Sequence, residues 1–130
     1  VGCSQAEEAL VLGKDNMAAQ FGAYVPAFRV DFTFRGGETL ELCGMRLLVI
    51  ATPGHTAGSV CFLADGKLFT GDTLFAGSVG RTDLPTGSGA QLMASVKALY
   101  VLEGDFPVYP GHGEDTTLGY ERRNNGWIRC

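Results

Sequence analysis

Residues 52–59 read Thr-Pro-Gly-His-Thr-Ala-Gly-Ser and follow directly on the apolar run Leu47-Leu48-Val49-Ile50-Ala51. They carry His55, one of only two histidines in 130 residues. The other, His112, lies in Tyr-Pro-Gly-His-Gly-Glu, again behind Pro-Gly, and Asp72 closes a related design, Phe-Thr-Gly-Asp. The segments LLVIATPGH, KLFTGD and FPVYPGH therefore share one plan: an apolar strand candidate, a small residue, then a side chain able to ligate a metal. Glycine lets the chain turn sharply off the strand, and proline fixes the preceding φ so that the turn is stiff. Side chains so placed stand at a sheet edge, where binding sites concentrate. Two neutral imidazoles and one carboxylate meeting there suit Zn, Fe or Mn with positions left open to water. A single histidine after a turn is more often a hydrogen-bonded surface residue, and Thr-Gly-Asp alone is a common turn. From the residues alone, a metal or catalytic site and a set of ordinary turns both stand, and the threefold coincidence is what argues for the site.

Outward from these segments the chain reads as mixed α and β. Ser4 and Glu7 have capping-box spacing ahead of a short helix over residues 6–12 that ends at Gly13. Residues 21–34 look like an irregular connection over the surface. Residues 38–42 alternate polar and apolar, Cys43-Gly44 marks a turn, and residues 46–51 form a buried strand candidate. Asp65-Gly66, between residues 59–64 and 67–70, is a strong two-residue hairpin signal. Ser88 and Gln91 repeat the capping pattern, and Leu92, Val96 and Leu99 have the spacing of an apolar helix face. A short strand over 106–109 and a charged helix over 116–124 complete the map, with Trp127 expected to anchor the tail on the core and Arg122 and Arg123 on a solvated face.

Bulk properties narrow the partners. A chain of 130 residues with 45% hydrophobic content is one domain's worth of core. Net charge is −4, and the ten Lys and Arg are scattered, so nothing invites nucleic acid; no apolar segment is long enough to span a membrane. A small molecule is the expected partner. The cysteines at 3, 43, 61 and 130 show no Cys-x-x-Cys spacing, and Cys43 and Cys61 lie in apolar runs, which fits reduced, buried thiols and a cytoplasmic location.

The stretches TPGHTAGSVCF, LFTGDTLFAGSVGRTDLP and VYPGHGEDTTLGYERRNN resemble, in order and spacing, the third, fourth and fifth metal motifs of the metallo-β-lactamase superfamily, in its glyoxalase II-like thioester hydrolase branch. The resemblance runs from near residue 1 to about residue 128. It implies an α/β (α+β) fold, part of an αββα sandwich, with residues 1–130 forming a single incomplete domain. It also implies that His55 ligates one metal ion, Asp72 bridges two, and His112 ligates the second. Zn2+ is the implied cofactor, with Fe or Mn as other ions the set accepts. The implied chemistry is attack on a thioester carbonyl by a metal-bound hydroxide, with Asp72 the central catalytic carboxylate. Thr56 and Thr73 follow ligands directly and suit either orientation of those ligands or turn capping.

One departure stands out. Members of the family carry an upstream HxHxDH segment that supplies further ligands, and this chain has no histidines to form it. The expectation is that the chain is the carboxyl-terminal portion of a longer hydrolase, inactive alone and associated with an amino-terminal segment or with its own copies. Two alternatives remain: a persulfide dioxygenase-like enzyme with one iron, which shares a similar Gly-Arg-Thr-Asp loop, and a non-catalytic binding module that retains the ligand positions. Arg81 in that loop either pairs with Asp83 as a brace or meets an anionic substrate tail.

Overall fold

The computed structural model describes residues 1–13 and 17–130. In chain order the elements are β1 (Gly2–Ser4), α1 (Glu8–Leu12), β2 (Phe32–Phe34), β3 (Thr39–Leu42), β4 (Met45–Ala51), β5 (Val60–Ala64), β6 (Lys67–Gly71), β7 (Leu74–Phe75), β8 (Ser78–Val79), α2 (Gly89–Tyr100), β9 (Pro107–Pro110), β10 (Thr116–Thr117) and α3 (Leu118–Asn124). Six strands form the main sheet in the order β10-β9-β6-β5-β4-β3. The class is mixed α/β, as the sequence implies.

The turns act as their residues dictate. Cys43 and Gly44 have φ of 51° and 76°, and Asp65 and Gly66 have 49° and 67°. Two successive left-handed residues close a tight hairpin whose twist matches that of its strands. Hairpins β3–β4 and β5–β6 follow, and β4 pairs antiparallel with β5. The chain then crosses through α2 to place β9 parallel to β6. Two reversals separate β4 from β6, so β4, β6 and β9 all run the same way and end at one edge of the sheet.

Register divides the sheet into two faces. Leu48, Leu63, Leu68 and Val108 lie side by side in one cross-strand row, and Val49, Phe62, Phe69 and Tyr109 in the next. Successive residues of a strand point to opposite faces. The first row meets the helices: Leu68 and Val108 are fully buried with Leu92, Val96 and Leu99 of α2, Leu118 of α3, Cys61 and Leu74. α2 is capped as expected, Ser88 Oγ accepting from Gln91 N at 3.3 Å. The second row is covered unevenly. Phe34 packs edge-on against Phe62 at 5.7 Å, and Phe69 stacks on Tyr109 at 5.5 Å while remaining 42% exposed. Met45, Leu47, Phe62, Ala64 and Phe69 border a shallow apolar cavity of about 420 Å3 on this face.

Several details differ from the expectations. Ser4 precedes a 3-10 turn (Gln5–Glu7) but makes no side-chain cap bond, and Gly13 ends α1 in an extended conformation. β2 falls within the expected irregular connection and pairs in parallel with β1. The tail anchor is Ile128, 6% exposed, rather than Trp127, which is 72% exposed. Asn125 fixes that tail: its Oδ1 accepts from Trp127 N and Ile128 N. Arg122 is not merely solvated, since its guanidinium donates to Leu102 O and Gly104 O and so holds the turn between α2 and β9. The fully buried Glu121 is a polar hub whose carboxylate accepts from Thr116 Oγ1 at 2.7 Å, Asn125 Nδ2 at 2.8 Å and Gly77 N at 3.0 Å. A buried charge is tolerable when its oxygens are satisfied in this way.

All four cysteines are unpaired, and Cys43, expected buried, is exposed at its turn. Burial pushes the Cys61 thiol up to about 11. With Ellman's reagent, native protein should therefore react fast at the exposed Cys43 and Cys130 and leave Cys61 untouched until urea unfolds the chain. Rapid loss of the Cys61 thiol under native conditions would contradict this packing.

Candidate metal centre

The three candidate ligands meet where the strand directions place them. His55 follows β4, Asp72 follows β6 directly, and His112 follows β9. Asp72 stands in the middle, its Oδ1 2.8 Å from His112 Nδ1 and its Oδ2 3.6 Å from His55 Nε2. His55 Nδ1 lies 2.9 Å from the Arg81 carbonyl. A carbonyl only accepts, so Nδ1 carries the proton and Nε2 keeps the lone pair that faces Asp72. A carboxylate likewise accepts from His112 Nδ1, leaving the Nε2 of His112 with its lone pair. The Phe75 ring lies tilted against His112 at 6.2 Å, and the His112 side chain is 78% exposed.

The glycines explain why both histidines ride on Pro-Gly. Gly54 has φ of 146°, and a Cβ there would collide with the backbone of Leu92 in α2. Its carbonyl accepts from Ser88 N at 2.8 Å, while Pro53 O accepts from Ser95 Oγ at 2.7 Å, so the His55 turn is pinned to α2 at both residues. A Cβ on Gly111 would sit 2.8 Å from Asp72 Oδ1, and Gly111 N donates to Gly71 O at 2.8 Å. Gly71 itself takes φ of 49° to present Asp72. Each glycine is fixed by a different neighbour.

Behind the ligands lies a dry hydroxyl bridge that sequence reading missed. Thr52 Oγ1 and Thr73 Oγ1 are 3.1 Å apart, and both residues are at most 1% exposed. They tie the end of β4 to the residue after Asp72. Thr56 bonds within its own turn, to Ser59 Oγ at 2.8 Å, which is turn capping rather than ligand support. Arg81 braces its loop: its guanidinium grips Asp83 with two bonds of 2.6 and 2.7 Å. Those bonds hold the Asp83 carboxyl down at about 2.

The donor chemistry fits a divalent ion, since two imidazole lone pairs and a carboxylate are the ligand types that Zn, Fe and Mn accept. The number of donors does not complete a site: among the described residues, no group of three or more His, Cys, Asp or Glu is arranged to hold an ion by itself. The edge therefore fits an ion as one side of a shared centre.

A family model described as the metallo-beta-lactamase superfamily matches residues 4–117. The chain belongs to that superfamily. It is 36% identical to hydroxyacylglutathione hydrolase GloC of Haemophilus influenzae over 98% of the chain and 62% of that protein. Among solved structures it resembles TTHA1623 in a di-iron-bound form, with a TM-score of 0.83 and 37% identity over 98% of this chain and 64% of that one. It also resembles ETHE1 from Myxococcus xanthus, with a TM-score of 0.72 and 31% identity over 85% of this chain and 54% of that one. The chain spans about half the length of the relatives it matches, from 45% to 62% in these cases. Membership implies a divalent-metal fold, and no helix among the described residues is long and apolar enough to cross a membrane.

Replacing Gly54 by Ala should destabilise the chain by about 1–3 kcal/mol from backbone strain alone, before the clash with Leu92 is added. Urea denaturation would measure it. Gly66→Ala, in an equally left-handed turn with open space around it, should cost only the strain. Equal losses at the two positions would show that α2 does not pin the His55 turn.

Proposed function

We propose that the chain is part of a metal-dependent hydrolase of thioesters, with His55, Asp72 and His112 as metal ligands and Asp72 as the bridging, catalytic carboxylate. One observation carries the reading: a single carboxylate faces two imidazoles, one from each oxygen, at a sheet edge where three parallel strands end. The likeness to hydroxyacylglutathione hydrolase GloC supports the thioester class. Four unpaired thiols support a reducing, cytoplasmic setting.

A bound divalent ion supplies Lewis acidity and brings the pKa of water from 15.7 to about 7. The chain's own residues orient that chemistry. Arg81 O fixes the His55 tautomer, Gly71 and Gly111 bring Asp72 and His112 together, and the Thr52–Thr73 bridge fixes the distance between the two ligand loops. The guanidinium of Arg81 meets an anionic substrate tail only if it exchanges Asp83 for it.

The remaining ligands come from a further polypeptide segment. Its docking surface is the half-covered sheet face of Met45, Leu47, Phe62 and Phe69. An apolar face of that kind invites pairing with the complementing segment or with a second copy. Sedimentation velocity on the 130-residue chain should show concentration-dependent association. A compact monomer across the micromolar range would count strongly against such a partner.

Zinc should bind the isolated chain weakly, leaving well under one ion per chain after dialysis, because three donors shared by two positions offset little of an ion's dehydration. With the complementing segment restored, metal-dependent cleavage of a simple acyl thioester should appear. Asp72→Asn should be the most damaging single change, His112→Ala should remove one ion, and Arg81→Ala should chiefly lower thermal stability. A single tightly held iron, with oxygen consumed on a persulfide and thioesters left intact, would instead favour the persulfide dioxygenase-like reading. A restored protein that binds no metal would favour a binding module.

A further inference from the structure

Next to the ligand edge is a small polar cavity of about 260 Å3 whose walls include Ser4, Glu7, His55, Ser59, Asp72 and Thr73. Glu7 enters it from the amino-terminal 3-10 turn, an element to which the metal reading assigns no role. The Oε2 atom of Glu7 is buried and has no hydrogen-bond partner among the described residues. Its placement is built rather than incidental. The turn carrying Glu7 lies so close on the His55 loop that a Cβ at Gly58 would collide with that same oxygen and would lie 2.6 Å from the Glu7 nitrogen. Only glycine at 58 lets the carboxylate stand there.

A buried carboxylate oxygen without a donor costs free energy, and native structures keep such groups rarely. The other fully buried carboxylate, Glu121, has three donors. Glu7 differs in facing a polar cavity that already contains a second carboxylate and a lone-pair nitrogen. Two acidic groups and an imidazole around one cavity call for a cation, and the hydrogen-bond donor that accompanies a hydrated cation is water. Around metal sites, carboxylates one step out from the ligands orient what the ion binds.

We propose that Glu7 is a positioning residue of the metal centre, its free carboxylate oxygen accepting a hydrogen bond from the water that a divalent cation carries into the cavity between Glu7 and Asp72. This rests on the metal-centre reading, but it makes a claim about stability that a packing role would reverse. Without the ion Glu7 is a liability, and with the ion it is an asset.

The test uses the whole 130-residue chain and cobalt(II) as the probe, followed by its visible absorption, together with thermal unfolding of metal-free protein. Glu7→Gln should weaken cobalt binding about tenfold or more and shift the cobalt absorption, yet leave the metal-free melting temperature unchanged or higher. Glu8→Gln, with the same change in charge one residue away, should leave cobalt binding as it was. If Asp72→Asn abolishes cobalt binding while Glu7→Gln leaves it intact, the role of Glu7 fails and the metal centre stands. If the wild-type chain shows no cobalt binding that depends on Asp72, the metal-centre reading fails and takes this one with it. A lower metal-free melting temperature for Glu7→Gln would mean that the carboxylate already has a structural partner, and would overturn the proposal.

Discussion

Everything at the candidate centre depends on β4, β6 and β9 running in the same direction. Strand direction fixes which edge a chain leaves by, and three exits on one edge bring residues 55, 72 and 112 together although 17 and 40 positions separate them in sequence. Two tight hairpins and one helical crossover produce that alignment, and each rests on a local device: left-handed Cys43-Gly44, left-handed Asp65-Gly66, and a Ser88 cap that starts α2. A change of one reversal would send His55 or Asp72 to the opposite edge. The ligand geometry is thus a consequence of topology before it is one of side-chain chemistry.

Topology delivers the side chains, and close backbone contacts then fix them. The edge is held from behind by groups that cannot shift freely: the buried hydroxyl bridge of Thr52 and Thr73, the Arg81 carbonyl on His55, and the α2 contacts that pin Pro53 and Gly54. Glu121 adds a longer-range tie. Its satisfied carboxylate links α3 and β10 to Gly77, between β7 and β8, and the same hairpin carries Phe75 against His112. Rigid support around exposed polar ligands is the arrangement expected of a site whose groups are held in place before a ligand arrives. The two carboxylates on the cavity, Asp72 and Glu7, are what remains electrostatically incomplete.

The two faces of the sheet differ in how they are finished. On the helix side, Leu68, Val108 and Leu118 are sealed from water. On the other, Phe34 shelters Phe62 while Phe69 and Met45 stay open. An exposed apolar row beside an under-ligated metal edge is coherent if a single further segment covers both. The same packing would then supply apolar burial and donors at once, coupling assembly to metal binding.

The sequence by itself determined the family, the class and the ligand positions, because these rest on short-range signals. Asp-Gly and Cys-Gly force hairpins whatever surrounds them, Ser88 with its spacing to Leu92, Val96 and Leu99 dictates α2, and Pro-Gly-His marks a stiff strand exit that can be read without a partner. The roles of Arg81, Trp127 and Glu7 could not be read that way. Arg81 had two readings, and only the bidentate contact with Asp83 chose the brace. An aromatic near the terminus suggested the anchor, but the turn made by Asn125 buries Ile128 and turns Trp127 outward. Glu7 looked like half of a capping box until the Gly58 contact showed its carboxylate held without a donor beside the metal edge. Local geometry is written into a few neighbouring residues. Which oxygen goes unpartnered, and which carbonyl sets a tautomer, depends on distant segments meeting in space.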